Sequence, residues 1–466
     1  MQLYRLADDY LLRGWKHLTC ALLNRKTRGL QVMDQRSFSL LILCDGVHDL
    51  SGAAEDENSR KALQSFLDRK IITKVDRADP LREEQRYRYY DNRFFSKILW
   101  SITGRCNYKC RHCYMDAPDA KLGELPLSEM KSIADQIAEC GIRTIHLTGG
   151  EPLVRKDFWE FADYLLQKDL CIDTVYTNGW LLTPQVLDRF EQRGMRPAIS
   201  ISFDGLGWHD WMRGVPGAEQ RAIDAIKECG RRGLPVDVEM CLHKGNAATL
   251  RETIGFLSSI GVLSMKISNV ADTECWKRNA DGNELRGAAY YDTVLDYIPH
   301  FFEDGMQTNV LFGSAIRLFR GSSRYHIVIE KGERGKNSDN AYLCNAARFG
   351  AYITPDGRFL PCMAVTSIRE QENFPLIREI GVKQCLDDSY YMNFVGNRVK
   401  DLFERNAECA ECEYRNLCCG GCRAQAMLMN GGDMYACDRE ACFLFRNGYP
   451  DKFRRAAEDA IAKYCK

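Results

Sequence analysis

The chain has 466 residues with 64 basic and 64 acidic side chains, so its formal net charge is zero. A chain without net charge has no overall field that would attract nucleic acid or an anionic membrane surface. No apolar run approaches the ~20 residues needed to cross a bilayer, and the first fifteen residues lack the basic and apolar segments of a secretion signal. We therefore expect a globular, cytoplasmic protein of about three domains, with neither membrane nor nucleic acid as a partner.

Residues 1–76 are predicted to form a small separate module. Residues 19–34 contain two extended runs joined by a polar turn, which is typical of a β-hairpin. Apolar spacing predicts one helix around Phe38 and Leu41 and a second over residues 59–69, and residues 71–75 return as a strand. This order of elements is that of a winged helix. The charged and tyrosine-rich residues 77–93 are predicted to be a linker.

Strand and helix patterns alternate through residues 94–305. The apolar strand candidates are residues 95–103, 144–150, 173–179, 198–205, 235–242 and 263–270. Repeated strand–helix units predict an α/β fold with a parallel sheet partly closed into a TIM-like (β/α)6 barrel, in which the chemistry lies in the loops after the strands. Residues 306–340 are predicted to bridge this barrel to a cysteine-rich tail.

Cysteine is unusually frequent, with 21 residues, and three of them, Cys106, Cys110 and Cys113, follow the first barrel strand. The reducing cytoplasm disfavours structural disulfides, so clustered cysteines indicate metal or redox chemistry. Three thiolates are one too few for a closed zinc site, although they could form half of one. They can also hold a 4Fe-4S cluster by three of its irons, which leaves the fourth iron open to a ligand.

The next three predicted strands also end in polar motifs. The residues concerned are Gly149, Gly150 and Glu151 after the second strand, Asn178 after the third, and Ser202 and Asp204 after the fourth. Glycine lets a ligand lie close to the backbone, and the other side chains offer hydrogen-bonding groups for an amine, a ribose or a carboxylate. The pattern predicts a small, polar, zwitterionic ligand.

The CxxxCxxC spacing after a first strand, with GGEP after the second, resembles the radical S-adenosylmethionine (SAM) superfamily over about residues 94–270. The resemblance implies that Cys106, Cys110 and Cys113 hold a 4Fe-4S cluster whose open iron binds SAM. An electron from the cluster would cleave SAM and release a 5′-deoxyadenosyl radical. The resemblance implies that Gly149, Gly150 and Glu151 contact the methionine amine, that Ser202 and Asp204 lie at or near the ribose, and that Arg213 binds the carboxylate. Asn178 is also implied to bind SAM, with no particular part of SAM assigned.

The tail, residues 341–466, repeats the cysteine pattern, with Cys344 and Cys362 ahead of a Cx2Cx5Cx3C run. This arrangement resembles the SPASM extension of radical SAM enzymes, which carries auxiliary iron-sulfur clusters. The resemblance implies two further 4Fe-4S clusters, and so three in all. The implied ligands are Cys344, Cys362 and Cys422 for auxiliary cluster I and Cys409, Cys412, Cys418 and Cys442 for auxiliary cluster II. Zinc is the alternative occupant of such sites.

The two auxiliary ligand sets leave one position undecided in each. Auxiliary cluster I is one ligand short, and either Cys385, Cys419 or Cys437 completes it or the iron stays open for a substrate thiolate. Cys437 also competes with Cys442 for the last position of auxiliary cluster II.

The front module resembles the winged-helix recognition element of enzymes that modify ribosomally made peptides, which is related to the small chaperone of pyrroloquinoline quinone synthesis. Such a domain binds a leader peptide as an added strand, so that main-chain hydrogen bonds give affinity. A DNA-binding winged helix is the alternative, because Arg25, Lys26 and Arg28 in the hairpin could meet an acidic leader or a phosphate backbone.

These resemblances together imply a radical SAM maturase of a precursor peptide, of the sactipeptide, ranthipeptide or streptide-crosslinking kind. The implied reaction is oxidative formation of a thioether between a cysteine sulfur and a carbon, with flavodoxin or ferredoxin as electron donor. The alternatives are carbon–carbon crosslinking or epimerisation of a peptide, formylglycine formation in a sulfatase, and an iron-sulfur DNA-binding regulator. The sequence identifies no catalytic base.

Overall fold

The computed structural model describes residues 1–53, 55–115, 121–313, 315–322, 324–329 and 338–465. Its contacts divide the chain into two compact units, one of residues 1–95 with 139–141 and one of residues 96–138 with 142–466. Among the helices of the described ranges, none combines the length and the apolar character that crossing a membrane requires.

The first unit is a small α+β module. Its strands are β1 (Leu3–Leu6), β2 (Tyr10–Trp15), β3 (Leu18–Asn24), β4 (Leu30–Val32), β5 (Ile72–Val75) and β6 (Arg88–Tyr90), and its helices are α1 (Gln35–Leu43) and α2 (Glu57–Asp68). Asp34 and Asp56 begin the two helices, because each carboxylate accepts the backbone N–H three residues later. Strand β1 pairs with β5, and the other strands form a sheet in the order β4-β3-β2-β6.

Part of the segment predicted as a linker belongs to this sheet. Residues 88–90 form β6, which pairs in parallel with β2. Only Tyr90 of the three is buried, and Arg88 and Tyr89 are exposed. A strand with a single buried side chain has no apolar alternation, so the sequence pattern gives no sign of it.

The second unit begins with alternating strands and helices. These elements are β7 (Lys97–Ser101), α3 (Leu127–Glu139), β8 (Thr144–Thr148), α4 (Phe158–Gln167), β9 (Cys171–Thr177), α5 (Pro184–Gln192), β10 (Ala198–Ser202), α6 (His209–Arg213), α7 (Ala218–Arg231), β11 (Val236–Leu242), α8 (Lys244–Ala247), α9 (Leu250–Ser259), β12 (Ser264–Asn269), α10 (Glu274–Asn279), α11 (Gly287–Glu303), β13 (Asn309–Phe312), β14 (Ile316–Arg320) and β15 (Tyr325–Ile329). Strands β7 to β12 lie at the six predicted positions. The predicted fold class, an α/β partial barrel, is confirmed.

The tail of the second unit is mostly helical. Its elements are β16 (Gly350–Ile353), β17 (Phe359–Leu360), α12 (Ile377–Asp387), α13 (Tyr390–Gly396), α14 (Val399–Arg405), α15 (Ala407–Ala410), α16 (Arg415–Cys418), α17 (Arg423–Met429), α18 (Arg439–Arg446) and α19 (Tyr449–Tyr464). The β16–β17 hairpin joins the barrel sheet, because β16 pairs in parallel with β7. The sheet therefore has eleven strands in the order β15-β14-β13-β12-β11-β10-β9-β8-β7-β16-β17.

The parallel sheet has two unlike faces, and β11 illustrates both. Its apolar residues Val236, Val238, Met240 and Leu242 are all buried, on the face covered by the connecting helices. The intervening Asp237, Glu239 and Cys241 are only half-buried and point to the other side. We call that second side, at the inside of the partial barrel, the lumen face.

Candidate active site

The three clustered cysteines lie in the loop that follows β7. Cys113 donates its backbone N–H to the carbonyl of Cys110 at 3.2 Å, and Tyr108 donates its backbone N–H to the Cys106 sulfur at 3.3 Å. Burial raises the pKa of the Cys106 thiol to about 12, and the nearby charges of Cys110 and Cys113 raise it further. Three thiolates that repel one another in a buried loop need a cation between them, so this donor set fits an iron-sulfur cluster.

The loop after β8 lies directly against the cysteine loop. The backbone N–H of Gly150 bonds to the carbonyl of Thr103 at 2.9 Å, and that of Glu151 bonds to the carbonyl of Arg105 at 2.9 Å. A Cβ on Gly150 would lie 2.2 Å from the Arg105 carbonyl oxygen, and one on Gly149 would lie 2.7 Å from that of Thr103. Both glycines are therefore needed for the two loops to pack together, before any ligand is considered.

Glu151 connects the loops after β8 and β9. Its fully buried carboxylate accepts the hydroxyl of Thr177 at 3.0 Å and the backbone N–H of Asn178 at 2.8 Å. The Asn178 side chain in turn donates to Asn107, inside the cysteine loop, at 2.8 Å. Burial raises the pKa of the Glu151 carboxyl to about 7, while these hydrogen bonds favour its ionised form.

Asp204 and Arg213 form a buried ion pair beside the cysteine loop. The Arg213 Nε lies 2.6 Å from one Asp204 carboxylate oxygen, and the other oxygen accepts the backbone N–H of Cys241 at 2.9 Å. Burial alone would raise the pKa of Asp204, but the charge of Arg213, together with a hydrogen bond to His209 and further nearby charges, holds that pKa well below its usual range. Arg213 also donates to the Cys110 sulfur at 3.7 Å. The pair therefore orients one of the clustered thiols.

The Asp204 carboxylate also meets a second set of possible metal ligands. One ligand atom each of His112, Asp204 and Cys241 lies within 4.8 Å of the others. The guanidinium of Arg213 already supplies the positive charge at this carboxylate. Burial lowers the pKa of His112 to about 3, so its ring is neutral at physiological pH. We interpret this group as packing around the ion pair rather than as a metal centre.

Ser202 is set apart from the other predicted site residues. It ends β10 and is half-buried, whereas the other six residues predicted to bind SAM touch the cysteine loop or the ion pair. Strand register places Ser202 beside Glu239 of β11, and Glu239 beside Lys266 of β12. The sequence analysis did not single out these two charged residues. The alternation of polar and apolar residues in β11 and β12 could have indicated that Glu239 and Lys266 lie on the same face of the sheet.

The first set of tail cysteines consists of Cys344, Cys362 and Cys422, and the charges of the other two act on Cys362. Burial raises the pKa of Cys362 to about 12, and the charges of Cys422 and Cys344 add to the effect. Of the candidates for a fourth ligand, Cys419 lies in an apolar cluster and donates to the carbonyl of Asn416 at 3.4 Å. Cys437 belongs to the second set.

The second set lines one small cavity of about 20 Å³. The cysteines that line it are Cys409, Cys412, Cys418, Cys437 and Cys442. The sulfurs of Cys409 and Cys437 are in contact at 3.6 Å. Cys437 and Cys442, the two candidates for the last position of auxiliary cluster II, both line this cavity.

A partial α/β barrel with three cysteines at CxxxCxxC spacing in its first loop defines the radical SAM class of enzymes. Residues 100–257 match the family model described as the radical SAM superfamily, so the chain carries a radical SAM domain and is an enzyme of that class. Enzymes with this domain use a 4Fe-4S cluster and SAM.

Three similar proteins set this domain in context. The chain is 26% identical over 347 residues to an AdoMet-dependent heme synthase of Methanosarcina barkeri, covering 72% of this chain and 93% of that protein. It is also 26% identical over 352 residues to a PqqA peptide cyclase of Granulibacter bethesdensis. That alignment covers 74% of this chain and 87% of the cyclase. The fold matches that of Streptococcus suis SuiB bound to its precursor peptide SuiA, with a TM-score of 0.67 and 16% identity over 95% of this chain and 100% of that one.

Proposed function

We propose that this enzyme modifies a ribosomally made precursor peptide by oxidative crosslinking, and that the product is a thioether between a cysteine sulfur and a carbon. The observation that supports a peptide as the substrate is the extent of the structural likeness to SuiB. This likeness spans 95% of this chain and therefore includes residues of the first unit. The sequence alignments with the heme synthase and with the PqqA peptide cyclase cover similar shares of this chain, 72% and 74%, so the structural likeness carries the distinction. A barrel that acts on a tetrapyrrole has no evident use for a strand-binding module.

Residues of the cysteine loop and its neighbours would bind SAM. Cys106, Cys110 and Cys113 would hold the 4Fe-4S cluster, which when bound supplies the electron that cleaves SAM to a 5′-deoxyadenosyl radical. Gly149, Gly150, Glu151, Asn178 and Ser202 would contact the methionine and ribose parts. Asp204 would lie at or near the ribose, and its ion pair with Arg213 would orient that guanidinium.

The tail cysteines would hold two auxiliary clusters that accept the electron released during crosslinking. We propose Cys344, Cys362 and Cys422 for auxiliary cluster I, and Cys409, Cys412, Cys418 and Cys442 for auxiliary cluster II. Cys344 precedes β16 and Cys362 follows β17, so both lie towards the amino ends of the parallel strands. The Cys106 loop lies at the carboxyl ends. A strand of five residues separates these ends by about 16 Å, which leaves the lumen face for the substrate.

An open iron in auxiliary cluster I is what favours the thioether. Three thiolates converge there, and a substrate cysteine could supply the fourth ligand. We further propose that the enzyme works in the cytoplasm with flavodoxin or ferredoxin as its electron donor.

The test is to incubate the anaerobically purified enzyme with SAM, dithionite and the synthetic peptide encoded by the neighbouring open reading frame. We expect formation of 5′-deoxyadenosine and loss of two hydrogens from the peptide by mass spectrometry. One cysteine should become resistant to iodoacetamide if the bond is a thioether. Unchanged peptide mass together with SAM cleavage would contradict crosslinking, and deuterium uptake without oxidation would indicate epimerisation.

Carbon–carbon crosslinking is the second candidate. The likeness to a PqqA peptide cyclase, which covers 74% of this chain, favours it. The same experiment separates the two reactions, because a carbon–carbon product also loses two hydrogens but keeps every cysteine reactive. The two outcomes therefore decide the bond without further variants.

The leader would bind at the free edge of β4. Val32 is 64% exposed on this edge, which is unusual for a branched apolar side chain. The N–H of Met33 points inwards to the carbonyl of Cys20, so the N–H of Val32 points outwards by strand alternation. An added strand would bond to that outward group.

Replacing Val32 by proline is therefore expected to weaken leader binding at least about fivefold, since one main-chain hydrogen bond is worth about 1 kcal/mol. The pairing of β4 with β3 should survive, because proline is tolerated where the N–H faces away from the sheet. Val32→Thr keeps both the N–H and the branched shape and is the matched control. Fluorescence anisotropy of a labelled leader measures both variants, and equal affinities would exclude this edge.

A further inference from the structure

The lumen face carries three carboxylates on the described barrel strands, and they differ in their surroundings. Asp173 of β9 is paired with His146 of β8 at 3.5 Å. Asp237 lies deeper along β11, where burial and the charge of Glu239 raise its pKa. Glu239 lies one step nearer the carboxyl ends of the strands and is 42% exposed. Glu239 is thus the member of the three that is both accessible and nearest to the cysteine loop.

Strand register fixes the neighbours of Glu239. Ser202 lies beside it on β10, and Lys266 lies beside it on β12, with the ammonium 3.5 Å from its carboxylate. The negative charge of Glu239 also reaches Tyr114, the residue after Cys113, and Cys241 at the end of its own strand. The strand register with Ser202 and Lys266 places the carboxylate below the loops predicted to bind SAM and above Asp237.

We propose that Glu239 is the catalytic base of the crosslinking reaction, an assignment that rests on the proposed function. The 5′-deoxyadenosyl radical takes one hydrogen atom from a peptide carbon and becomes 5′-deoxyadenosine. The carbon radical then bonds to the sulfur or carbon of a second side chain, which loses its own hydrogen as one proton and one electron. The electron passes to an iron-sulfur acceptor, and Glu239 takes the proton.

Lys266 makes this role chemically reasonable. Its ammonium lies 3.5 Å from the Glu239 carboxylate and holds that side chain at the lumen face. After the proton is transferred, the half-exposed carboxyl can release it to water. Asp173 is instead paired with His146, and Asp237 lies deeper along the strand, where burial raises its pKa.

The test measures SAM cleavage and peptide crosslinking separately in Glu239→Gln. Glutamine keeps the size of the side chain but cannot accept a proton at neutral pH. We expect 5′-deoxyadenosine to form at near the wild-type rate while the peptide that has lost two hydrogens falls at least about a hundredfold, the usual contribution of a general base. Glu239→Asp should recover part of the product. Iron content and SAM affinity should be unchanged in both variants.

Asp237→Asn is the matched control, because it removes a second carboxylate from the same strand and face. It should keep the crosslinking rate, and loss of product in Asp237→Asn but not in Glu239→Gln would overturn the assignment. Equal loss of SAM cleavage and product in Glu239→Gln would also overturn it, since that outcome indicates a role in SAM binding. If the wild-type enzyme cleaves SAM but leaves the peptide unchanged, the proposed function fails instead, and the assignment falls with it.

Discussion

Replacing Cys110 by alanine is expected to reduce 5′-deoxyadenosine formation to background and to remove about four of the roughly twelve iron atoms that three 4Fe-4S clusters contain. The reason is that the loop offers only three thiolates, and one iron must stay open for SAM. Two thiolates cannot hold the cluster against loss. Arg213 would also lose its hydrogen bond to the Cys110 sulfur, which has a length of 3.7 Å. Chromatography of the SAM reaction and iron analysis of the anaerobic protein provide the two measurements.

Cys465→Ala is the control for this prediction. Cys465 is half-buried beyond the last helix and belongs to none of the three cysteine groups. Its replacement should leave both SAM cleavage and iron content at wild-type values. A Cys110→Ala protein that keeps its iron and still cleaves SAM would show that the CxxxCxxC loop is not the site of the chemistry.

The barrel strands were predictable because strands buried in a parallel sheet consist of apolar runs that are visible in the sequence. Apolar runs such as residues 198–205 and 235–242 became β10 and β11 at the expected places. The polar residues at strand ends were predictable for the same reason, since parallel strands bring all their carboxyl ends to one edge. Strand β2, by contrast, was missed, because its residues are almost all buried and show no alternation.

The contacts among the predicted site residues could not be read from the sequence. Gly149 and Gly150 were expected to make room for a ligand, yet the carbonyls of the cysteine loop occupy the space beside them. Cys409 and Cys437 are 28 residues apart, and only the fold of the tail brings their sulfurs to 3.6 Å. Spacing predicts which residue types share a loop, whereas the partner of each side chain depends on how the loops pack.

The ion pair of Asp204 and Arg213 has the largest expected effect on stability. Asp204 is completely buried and the Arg213 side chain is only 10% exposed, with 2.6 Å between the charged atoms. Arg213→Met would leave a buried carboxylate without its counter-charge. Removing one partner of a buried pair costs about 3–5 kcal/mol of folding free energy. Anaerobic urea unfolding followed by circular dichroism should show the lower midpoint.

A double variant separates the charge effect from simple loss of packing. Asp204→Asn combined with Arg213→Met removes both charges, so it should be more stable than Arg213→Met alone, and the two single effects should not add. Arg454→Met is the control, because Arg454 pairs with Asp451 at 2.7 Å on an exposed helix face, where ion pairs contribute little. If the losses of folding free energy caused by Asp204→Asn and Arg213→Met add in the double variant, each residue stabilises the fold through separate contacts. That result would contradict the ion pair as the source of stability.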